Sequence, residues 1–354
     1  NVMNIKGPRI LHVVTKKGKG CSFAEKDPVK FHGVNRFNIN TGEGLAGNAP
    51  VELKSYTEVF RDKIVELAHK EKRLVAVTAA MPEGSGLNKF RDVFPERFFD
   101  VGIAESHAVC FAAGLARHGF KPVVAVYSTF LQRAYDQMIE DVALQGLPVI
   151  FAVDRAGIVG EDGVTHQGIF DIVYLRSVPN LTVMAPKDGR ELREMLEFAF
   201  SLNKPVAIRY PRANTFVNTQ AATPLDLGKA ELLREGKDFT IIALGSMVSV
   251  AQEAVKLLDK DGITGSLINA RFAAPLDIEL MKKVCADTDL VCSMEEGVRE
   301  GGFGSAISQE LGRRILRMGL PPGFIPHGPR DLLLEKNGLS ASGVAGMIRK
   351  ELNR

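Results

Sequence analysis

The feature that most constrains the fold is a repeated alternation of short, near-continuous apolar runs with segments of helical periodicity. Strands of a parallel sheet are covered by helices on both faces, so they appear in a sequence as apolar runs. The first series predicts strands at 74–80, 98–103, 122–128, 148–154, 181–186 and 206–211. Helices are expected among them at 105–118, 129–145 and 188–202. The pattern therefore indicates an α/β fold built on a parallel sheet.

The alternation stops near 213–225 and then restarts, which indicates a second α/β domain. Its predicted strands are 239–245, 265–271 and 289–295, and its predicted helices are 247–260, 277–286 and about 303–317. Ahead of the first series, Ser55 and Glu58 have capping-box spacing and predict a helix over 55–71. The run "RILHVVT" at 9–15 predicts one more strand. The stretch 33–50, rich in glycine and asparagine, is expected to be a linker, and the second α/β domain is expected at roughly 226–354.

The composition argues against several classes of function. The 354 residues carry a net charge of +3, which gives no reason to expect nucleic acid or an anionic membrane as a partner. No apolar run approaches the roughly 18–20 residues that span a bilayer. Because the four cysteines form no C-x-x-C pair, we expect no zinc site and a reducing compartment. Cys110 and Cys292 lie in apolar runs and are expected in the core.

An acidic residue follows the point where a predicted buried strand meets a predicted helix. In "FFDVGIAESHAVCFAAGLARHG" (98–119), Glu105 precedes a run of small residues. Removal from water favours the protonated form of a carboxyl group, which could then exchange a proton with a heteroaromatic nitrogen. Alternatively, Glu105 caps the helix by accepting hydrogen bonds from its first N–H groups. The residues alone leave both interpretations open.

Residues that follow the predicted strands are candidates for a binding site, because ligands of open α/β sheets bind beyond the carboxyl ends of the strands. Besides Glu105, these candidates are Tyr127, Phe130, Arg133, Arg155, Asp162, His166 and Arg212. Three arginines near a tyrosine and a histidine predict a site for a phosphate or carboxylate group. The alternative is that each arginine pairs with a local acid, such as Asp136, Asp154 or Asp171.

The segment 155–171 is a long loop that contains four glycines and the sequence "GEDGVTHQG". Loops on a rigid sheet often carry catalytic groups, and His166 would be suited to proton transfer near neutral pH. The alternative is an ordinary surface loop with a turn at "EDG". The glycine-rich stretches 82–86 and 295–304 could cradle a phosphate, but neither matches a P-loop or dinucleotide motif. Tight turns are the simpler interpretation of both.

Several longer blocks carry a family resemblance. They are "DVGIAESHAVCFAAGLA", "YSTFLQRAYDQ", "DRAGIVGEDGVTHQGIFD", "IRYPR", "KKGKG" with "EKDPVKFHGV" near the start, and "FIPHGPRDLLLEKNGLSASG" near the end. These blocks resemble the 1-deoxy-D-xylulose-5-phosphate synthase family, which belongs to the thiamine-diphosphate-dependent transketolase superfamily. The resemblance implies a pyrimidine-binding domain at 51–220 and a transketolase C-terminal domain at 221–354. Residues 1–50 would then be the tail of a third α/β domain that binds the diphosphate.

The resemblance also implies that part of the enzyme is missing from this sequence. The family holds the diphosphate and Mg²⁺ through a Gly-Asp-Gly motif, and nothing here matches that motif. The N-terminus does not resemble a signal or transit peptide, and a predicted strand follows within ten residues, as if the sequence began inside a domain. The metal ligands are therefore expected on an N-terminal part that exists as a separate chain.

The chemistry that the resemblance implies is decarboxylation of pyruvate with thiamine diphosphate and transfer of the two-carbon unit to glyceraldehyde 3-phosphate. This would be the first step of non-mevalonate isoprenoid biosynthesis, with a link to thiamine biosynthesis. The implied catalytic residues are Glu105, His32 and His166. The implied cofactor-binding residues are Glu105, Phe130, Ile103 and Lys17, and the implied substrate-binding residues are Tyr127, Arg133, Arg155, Asp162 and Arg212. A homodimer of the whole enzyme is implied, in the bacterial cytoplasm or in a plastid.

Two other functions stay open. A pyrimidine-binding subunit of a 2-oxo acid dehydrogenase would share Glu105 and both α/β domains, but it would not need the three-arginine pocket. An inactive fragment that binds no cofactor by itself would keep the fold, and the lack of a metal motif favours it.

Overall fold

A computed structural model describes residues 2–28, 30–31, 37–44, 53–217 and 223–352. The chain forms two compact units, Asn1–Pro50 and Val51–Arg354. In the first unit, the described residues include a 3-10 turn at Val2–Asn4 and the helix α1 (Ser22–Lys26). The strand predicted at 9–15 is wrong, because these residues form no regular element and Ile10 is 96% exposed. A β-branched run becomes a strand only where another strand pairs with it, and no described segment of this unit does so.

The larger unit begins with an α/β domain. Its strands are β1 (Leu53–Ser55), β2 (Leu74–Thr78), β3 (Phe98–Asp100), β4 (Lys121–Tyr127), β5 (Ile150–Asp154), β6 (Thr182–Met184), β7 (Val206–Arg209) and β8 (Asn214–Phe216). Its helices are α2 (Tyr56–Lys70), α3 (Asn88–Val93), α4 (Glu105–Arg117), α5 (Ser128–Leu131), α6 (Tyr135–Gln137), α7 (Asp171–Arg176) and α8 (Gly189–Leu202).

A second α/β domain follows within the same unit. Its strands are β9 (Glu231–Arg234), β10 (Phe239–Ala243), β11 (Gly265–Asn269), β12 (Phe272–Ala274), β13 (Leu290–Val298) and β14 (Leu316–Leu320). Its helices are α9 (Met247–Asp259), α10 (Ile278–Cys285), α11 (Phe303–Leu311), α12 (Arg330–Lys336) and α13 (Ala341–Glu351).

The two main sheets are largely parallel, as the sequence predicts. The first has the strand order β12-β6-β7-β5-β4-β2-β3 and the second has the order β14-β13-β10-β11-β9. Each sheet also has one antiparallel edge strand that was not predicted, β12 beside β6 and β9 beside β11. Because β12 comes from the sequence of the second domain, the two domains share a sheet. A short antiparallel pair, β1 with β8, lies apart from both sheets.

The helix predicted at 55–71 is confirmed together with its capping box. The Ser55 side chain accepts a hydrogen bond from the backbone N–H of Glu58, and the Glu58 side chain accepts one from the backbone N–H of Ser55. Phe60 and Ile64 on its inner face are fully buried. This apolar face holds α2 against the first sheet and α8.

The single helix predicted at 129–145 is instead broken into several short pieces. After α5 come a 3-10 turn at Gln132–Ala134, α6, and a π-helical stretch at Met138–Ala143. The Ser106 hydroxyl of α4 donates to the carbonyl of Arg133 at 2.8 Å. This bond occupies a carbonyl that a regular α-helix would use internally, and such irregularities are frequent at functional sites.

Two further expectations are wrong at the edge of the first sheet. The predicted strand 98–103 is only three residues long, and because β3 is an edge strand its residues are half-buried or exposed. Cys110 is exposed on α4, where its thiol contacts Asp141, whereas Cys292 is buried as expected. None of the described helices combines the length and the apolar character needed to cross a membrane.

Candidate active site

The carboxyl group of Glu105 lies at the start of α4, and the residue is only 4% exposed. Its Oε1 accepts a hydrogen bond from Arg133 Nη1 at 2.7 Å, while the Arg133 side chain is about half exposed. Ala104 occupies the N-cap position, and the described N–H groups of α4 make no bond to Glu105. The geometry thus does not support the capping interpretation. It leaves Glu105 Oε2 without a hydrogen-bond partner in the described part of the chain.

An aromatic cluster adjoins this ion pair. The Arg133 guanidinium lies over the ring of Phe130, with Cζ 4.8 Å from the ring centroid. Tyr127 stacks on Phe130, with 5.8 Å between the centroids and 17° between the planes. His166 contacts Phe130 edge-on at 5.3 Å. The end of β4, the helix α5 and the loop 155–171 therefore contribute neighbouring rings to one site.

Hydrogen bonds to neighbouring backbone hold the histidine end of the loop. The Thr129 hydroxyl of α5 donates to the carbonyl of Thr165 at 3.1 Å, and the Ser128 hydroxyl donates to that of Gly168 at 3.2 Å. The Thr165 hydroxyl lies 3.0 Å from Nδ1 of His166. The loop is thus attached to the aromatic cluster on both sides of His166.

Arg155 follows β5 directly and has a left-handed backbone, with φ of 58°. Its guanidinium pairs with Asp154, with Nη1 and Oδ2 3.0 Å apart, and donates to the carbonyl of Gly84. It also lies over the Tyr127 ring, with Cζ 4.2 Å from the centroid. Asp154 is fully buried and accepts a further bond from the Thr57 hydroxyl at 2.8 Å. These contacts fix the guanidinium against the phenol ring.

Burial determines the electrostatics around Tyr127, Asp154 and Arg155. Burial raises the pKa of Tyr127 above its ordinary value, and the positive charge of Arg155 offsets this only in part. Burial likewise raises the pKa of Asp154, against the effect of the same arginine. Arg155 Nε is buried without a hydrogen-bond partner among the described residues. A buried unpaired donor costs about 1–3 kcal/mol, so an acceptor such as a phosphate oxygen would be favoured there.

Arg212 and Asp162 form a more exposed ion pair, with Nη1 and Oδ1 2.6 Å apart and each side chain about one-third exposed. Arg212 comes two residues after Tyr210 beyond β7, and Asp162 lies in the loop 155–171. Both charges act on the Tyr127 phenol. The pair therefore lies near Tyr127, the residue that Arg155 also contacts.

All three arginines of the predicted anion site have an acidic partner. Arg155 pairs with Asp154, as the alternative interpretation expects, whereas the other two pair with acids that were themselves predicted site residues. Asp171 pairs instead with Arg209, a residue that the sequence did not single out. Phosphate binding by the arginines stays a prediction.

Three more residues were predicted to belong to the site. Ile103 is 81% exposed in the turn before α4. Lys17 lies in the first unit, Asn1–Pro50. His32 lies outside the described residues.

The sequence did not identify Thr57 and Gly84 as parts of the site. The stretch 82–86 is a tight turn, as expected, with Ser85 N–H donating to the carbonyl of Met81. It also forms a wall of the site, because a Cβ on Gly84 would lie 1.8 Å from the Tyr127 hydroxyl. Only glycine leaves room for the phenol there, and a lone glycine in a turn gives no signal of this.

Among residues 2–28, 30–31, 37–44, 53–217 and 223–352, no group of three or more His, Cys, Asp or Glu could hold a metal ion.

A cavity of about 710 Å³ lies between the two α/β domains, and Tyr56, Lys187, Ser246 and Arg330 are among its lining residues. None of the described candidate site residues lines this cavity.

Two family models match the larger unit. "Transketolase, pyrimidine binding domain" matches residues 53–217, and "Transketolase, C-terminal domain" matches residues 228–344. The solved split-gene transketolase, described as an inactive beta4 tetramer, is 31% identical with a TM-score of 0.75, and the alignment covers 84% of this chain and 98% of that one. Transketolase from Campylobacter jejuni, at 22% identity and a TM-score of 0.73 over 84% of this chain and 47% of that one, shows the same fold.

Curated bacterial relatives extend the similarity over nearly the whole chain. The 1-deoxy-D-xylulose-5-phosphate synthase of Heliobacterium modesticaldum is 49% identical over 99% of this chain and 55% of its own length. That of Syntrophus aciditrophicus is 48% identical over 100% of this chain and 56% of its own length. The chain thus spans little more than half the length of these relatives. It belongs to the transketolase family, with that family's pyrimidine-binding and C-terminal domains, and its curated relatives are 1-deoxy-D-xylulose-5-phosphate synthases.

Proposed function

We propose that this chain is the pyrimidine-binding and C-terminal part of a 1-deoxy-D-xylulose-5-phosphate synthase. The reaction is decarboxylation of pyruvate and transfer of the two-carbon unit to glyceraldehyde 3-phosphate. The observation that carries the proposal is the convergence of Glu105, Phe130, Tyr127 and Arg155 beyond the strands of one sheet, in a chain about half identical to named synthases. Isoprenoid biosynthesis would be the pathway served, and the bacterial cytoplasm the location.

The residues present fit the pyrimidine end of thiamine diphosphate. An aminopyrimidine needs a flat apolar surface and a carboxyl group withdrawn from water. Phe130 offers such a surface, and no described residue bonds Glu105 Oε2, while Arg133 holds its Oε1. We propose that Ile103 also packs on the bound cofactor. When bound, thiamine diphosphate supplies the electron sink for loss of carbon dioxide.

The roles proposed for the remaining residues follow from charge and position. Glu105 would hold and move a proton at the pyrimidine ring, because its carboxyl group is buried next to the Arg133 and Phe130 pair. The unpaired Nε of Arg155, with Arg212 and the Tyr127 phenol, would bind the phosphate of the acceptor aldehyde. His166 would orient or protonate the reacting oxygen, with Asp162 setting its loop. His32 and Lys17 keep their proposed catalytic and diphosphate-binding roles.

We further propose that another polypeptide segment supplies the diphosphate and Mg²⁺ ligands, and that the whole enzyme is a homodimer. Two observations support this proposal: the chain spans 55% of the length of a named synthase, and the similar split-gene transketolase is described as inactive. Calorimetry with thiamine diphosphate and Mg²⁺ should give weak or no binding to residues 1–354 alone. Nanomolar binding to this chain alone would contradict the proposal.

A substrate panel on the complete enzyme tests the reaction. We expect carbon dioxide release from pyruvate to depend on glyceraldehyde 3-phosphate, and 1-deoxy-D-xylulose 5-phosphate to accumulate. Release that depends on a lipoyl acceptor instead would favour a 2-oxo acid dehydrogenase subunit. No release with any acceptor would favour an inactive protein.

A further inference from the structure

Glu296, in β13 of the second domain, is a buried acid that makes no contact with the aromatic cluster. It is 1% exposed, and three different segments donate to its carboxylate. The backbone N–H of Ile158 donates to Oε1 at 2.9 Å. The Ser246 hydroxyl and Arg330 Nη2 donate to Oε2 at 2.8 Å and 2.5 Å. Ile158 belongs to the loop 155–171, so this carboxylate joins the second domain to the loop that carries Asp162 and His166.

The loop is fitted closely to Glu296 and its surroundings. Gly157, with φ of 85°, lies so near that a Cβ there would be 2.5 Å from Glu296 Cδ. A Cβ on Gly160 would be 2.7 Å from the carbonyl of Gly328. The two glycines therefore allow a close approach that any side chain would prevent.

Gln167 makes a second polar contact between the loop 155–171 and the second domain. The Gln167 side chain accepts hydrogen bonds from the N–H groups of Val159 and Gly160 at 2.8 and 3.3 Å. It also donates to the carbonyl of Pro326 in the second domain at 3.2 Å. Paired bonds between Gly157 and Gly168 close the base of the loop. The loop tip, residues 161–166, is thus presented to the active site from a base that the second domain holds.

We propose that Glu296 is a positioning residue for the loop 155–171, through which the second domain sets the placement of Asp162 and His166. A buried carboxylate that accepts from a backbone N–H and an arginine holds its partners in one arrangement, because charge-assisted hydrogen bonds are short and directional. Arg330 compensates the buried charge, and the Ile158 N–H transmits its position to the loop. The catalytic consequence rests on the function proposed above.

The test compares Glu296→Ala with two other variants in the complete enzyme. Glu296→Gln keeps an oxygen that can accept from Ile158 and should rescue the loop. Glu295→Gln is the matched control, because among the described residues the neighbouring buried acid accepts hydrogen bonds from the N–H groups of Phe303 and Gly304 and not from the loop 155–171. If Glu296→Ala does not accumulate as folded protein, Arg330→Met takes its place, since it removes the cation that holds the carboxylate.

Hydrogen–deuterium exchange of the peptide covering 157–168 is the first readout and needs no catalytic activity. We expect at least tenfold faster exchange in Glu296→Ala, at least threefold in Arg330→Met, and wild-type rates in Glu296→Gln and Glu295→Gln. Equal exchange in Glu296→Ala and Glu295→Gln would overturn the proposal. Because this readout is independent of turnover, a failure of the proposed reaction would not be mistaken for a failure here.

The kinetic readout separates positioning from loss of folded enzyme. A loop that carries Asp162, the partner of Arg212, should affect the phosphorylated acceptor more than pyruvate. We expect the KM for glyceraldehyde 3-phosphate to rise at least fivefold in Glu296→Ala and the KM for pyruvate less than twofold. A fall in kcat with both KM values unchanged would show a merely structural role and overturn the proposal.

Discussion

The buried ion pair of Arg209 and Asp171 joins the end of β7 to the start of α7, and its loss should weaken the larger unit markedly. Arg209 Nε and Nη2 donate to the two oxygens of Asp171 at 2.9 and 3.2 Å. Nη2 also donates to the carbonyl of Glu296 at 3.0 Å. Asp171 is fully buried and Arg209 is 4% exposed. In Arg209→Met, the Asp171 carboxylate would keep its burial and lose its counter-charge.

The expected cost follows from this geometry. Removing one partner of a buried pair destabilises a protein by about 3–5 kcal/mol, because the remaining charge is uncompensated. The double variant Arg209→Met with Asp171→Asn should recover at least half of this loss, since no buried charge remains. The pair of Arg234 and Asp259 offers a matched control: it is also bidentate, at 2.5 and 2.6 Å, but about one-third exposed. Arg234→Met should cost about 0.2–1 kcal/mol.

Urea unfolding followed by circular dichroism measures these differences. With about 3 kcal/mol per M of urea, Arg209→Met should lower the midpoint by roughly 1–1.7 M, and Arg234→Met by at most about 0.3 M. Equal shifts for the two single variants would refute the reasoning. A double variant no more stable than Arg209→Met would also refute it, because the uncompensated charge would then not be the cause.

Three further changes have expected outcomes. Glu105→Ala should abolish turnover in the complete enzyme while the melting temperature falls little, because its partner Arg133 is half exposed and can be solvated; a turnover above one-tenth of wild type would contradict the role of Glu105. Arg212→Ala should raise the KM for glyceraldehyde 3-phosphate at least fivefold and that for pyruvate less than twofold; equal rises in steady-state assays would count against a phosphate contact. Burial raises the pKa of Glu295 from 4.5 to about 7, so its contribution to stability is present below pH 4.5 and is lost as the pH rises to about 7. This change is on the order of 3 kcal/mol. In urea unfolding at pH 5 and pH 8, Glu295→Gln should be less pH-dependent than wild type, and equal dependence would contradict the assignment.

The sequence predicts the parts of this fold that depend on local pattern. The Ser55–Glu58 capping box and the buried parallel strands follow from spacing and apolar runs alone. The clustering of Glu105, Phe130 and Arg155 also follows, because the carboxyl ends of parallel strands meet at one edge of the sheet.

What the sequence could not show depends on contacts between distant segments. The run 9–15 looks like a strand, but no described segment pairs with it. The break after α5 involves a hydroxyl of another helix, on Ser106, and the edge strand β12 is only three residues long. The acids Glu295 and Glu296 lie inside a buried strand, in a stretch interpreted as tight turns. Glu295 bonds Phe303, which is 8 residues away, and Glu296 bonds Ile158, which is 138 residues away. No local pattern in the sequence therefore reveals these contacts.

The most direct test of the central claim is the rate of hydrogen–deuterium exchange at C2 of thiamine diphosphate bound to the complete enzyme, measured by NMR after acid quench. If Glu105 moves a proton at the pyrimidine ring, Glu105→Ala should slow this exchange at least 100-fold, whereas Arg234→Met should leave it unchanged. Exchange in Glu105→Ala at the wild-type rate, with the cofactor still bound, would contradict the claim.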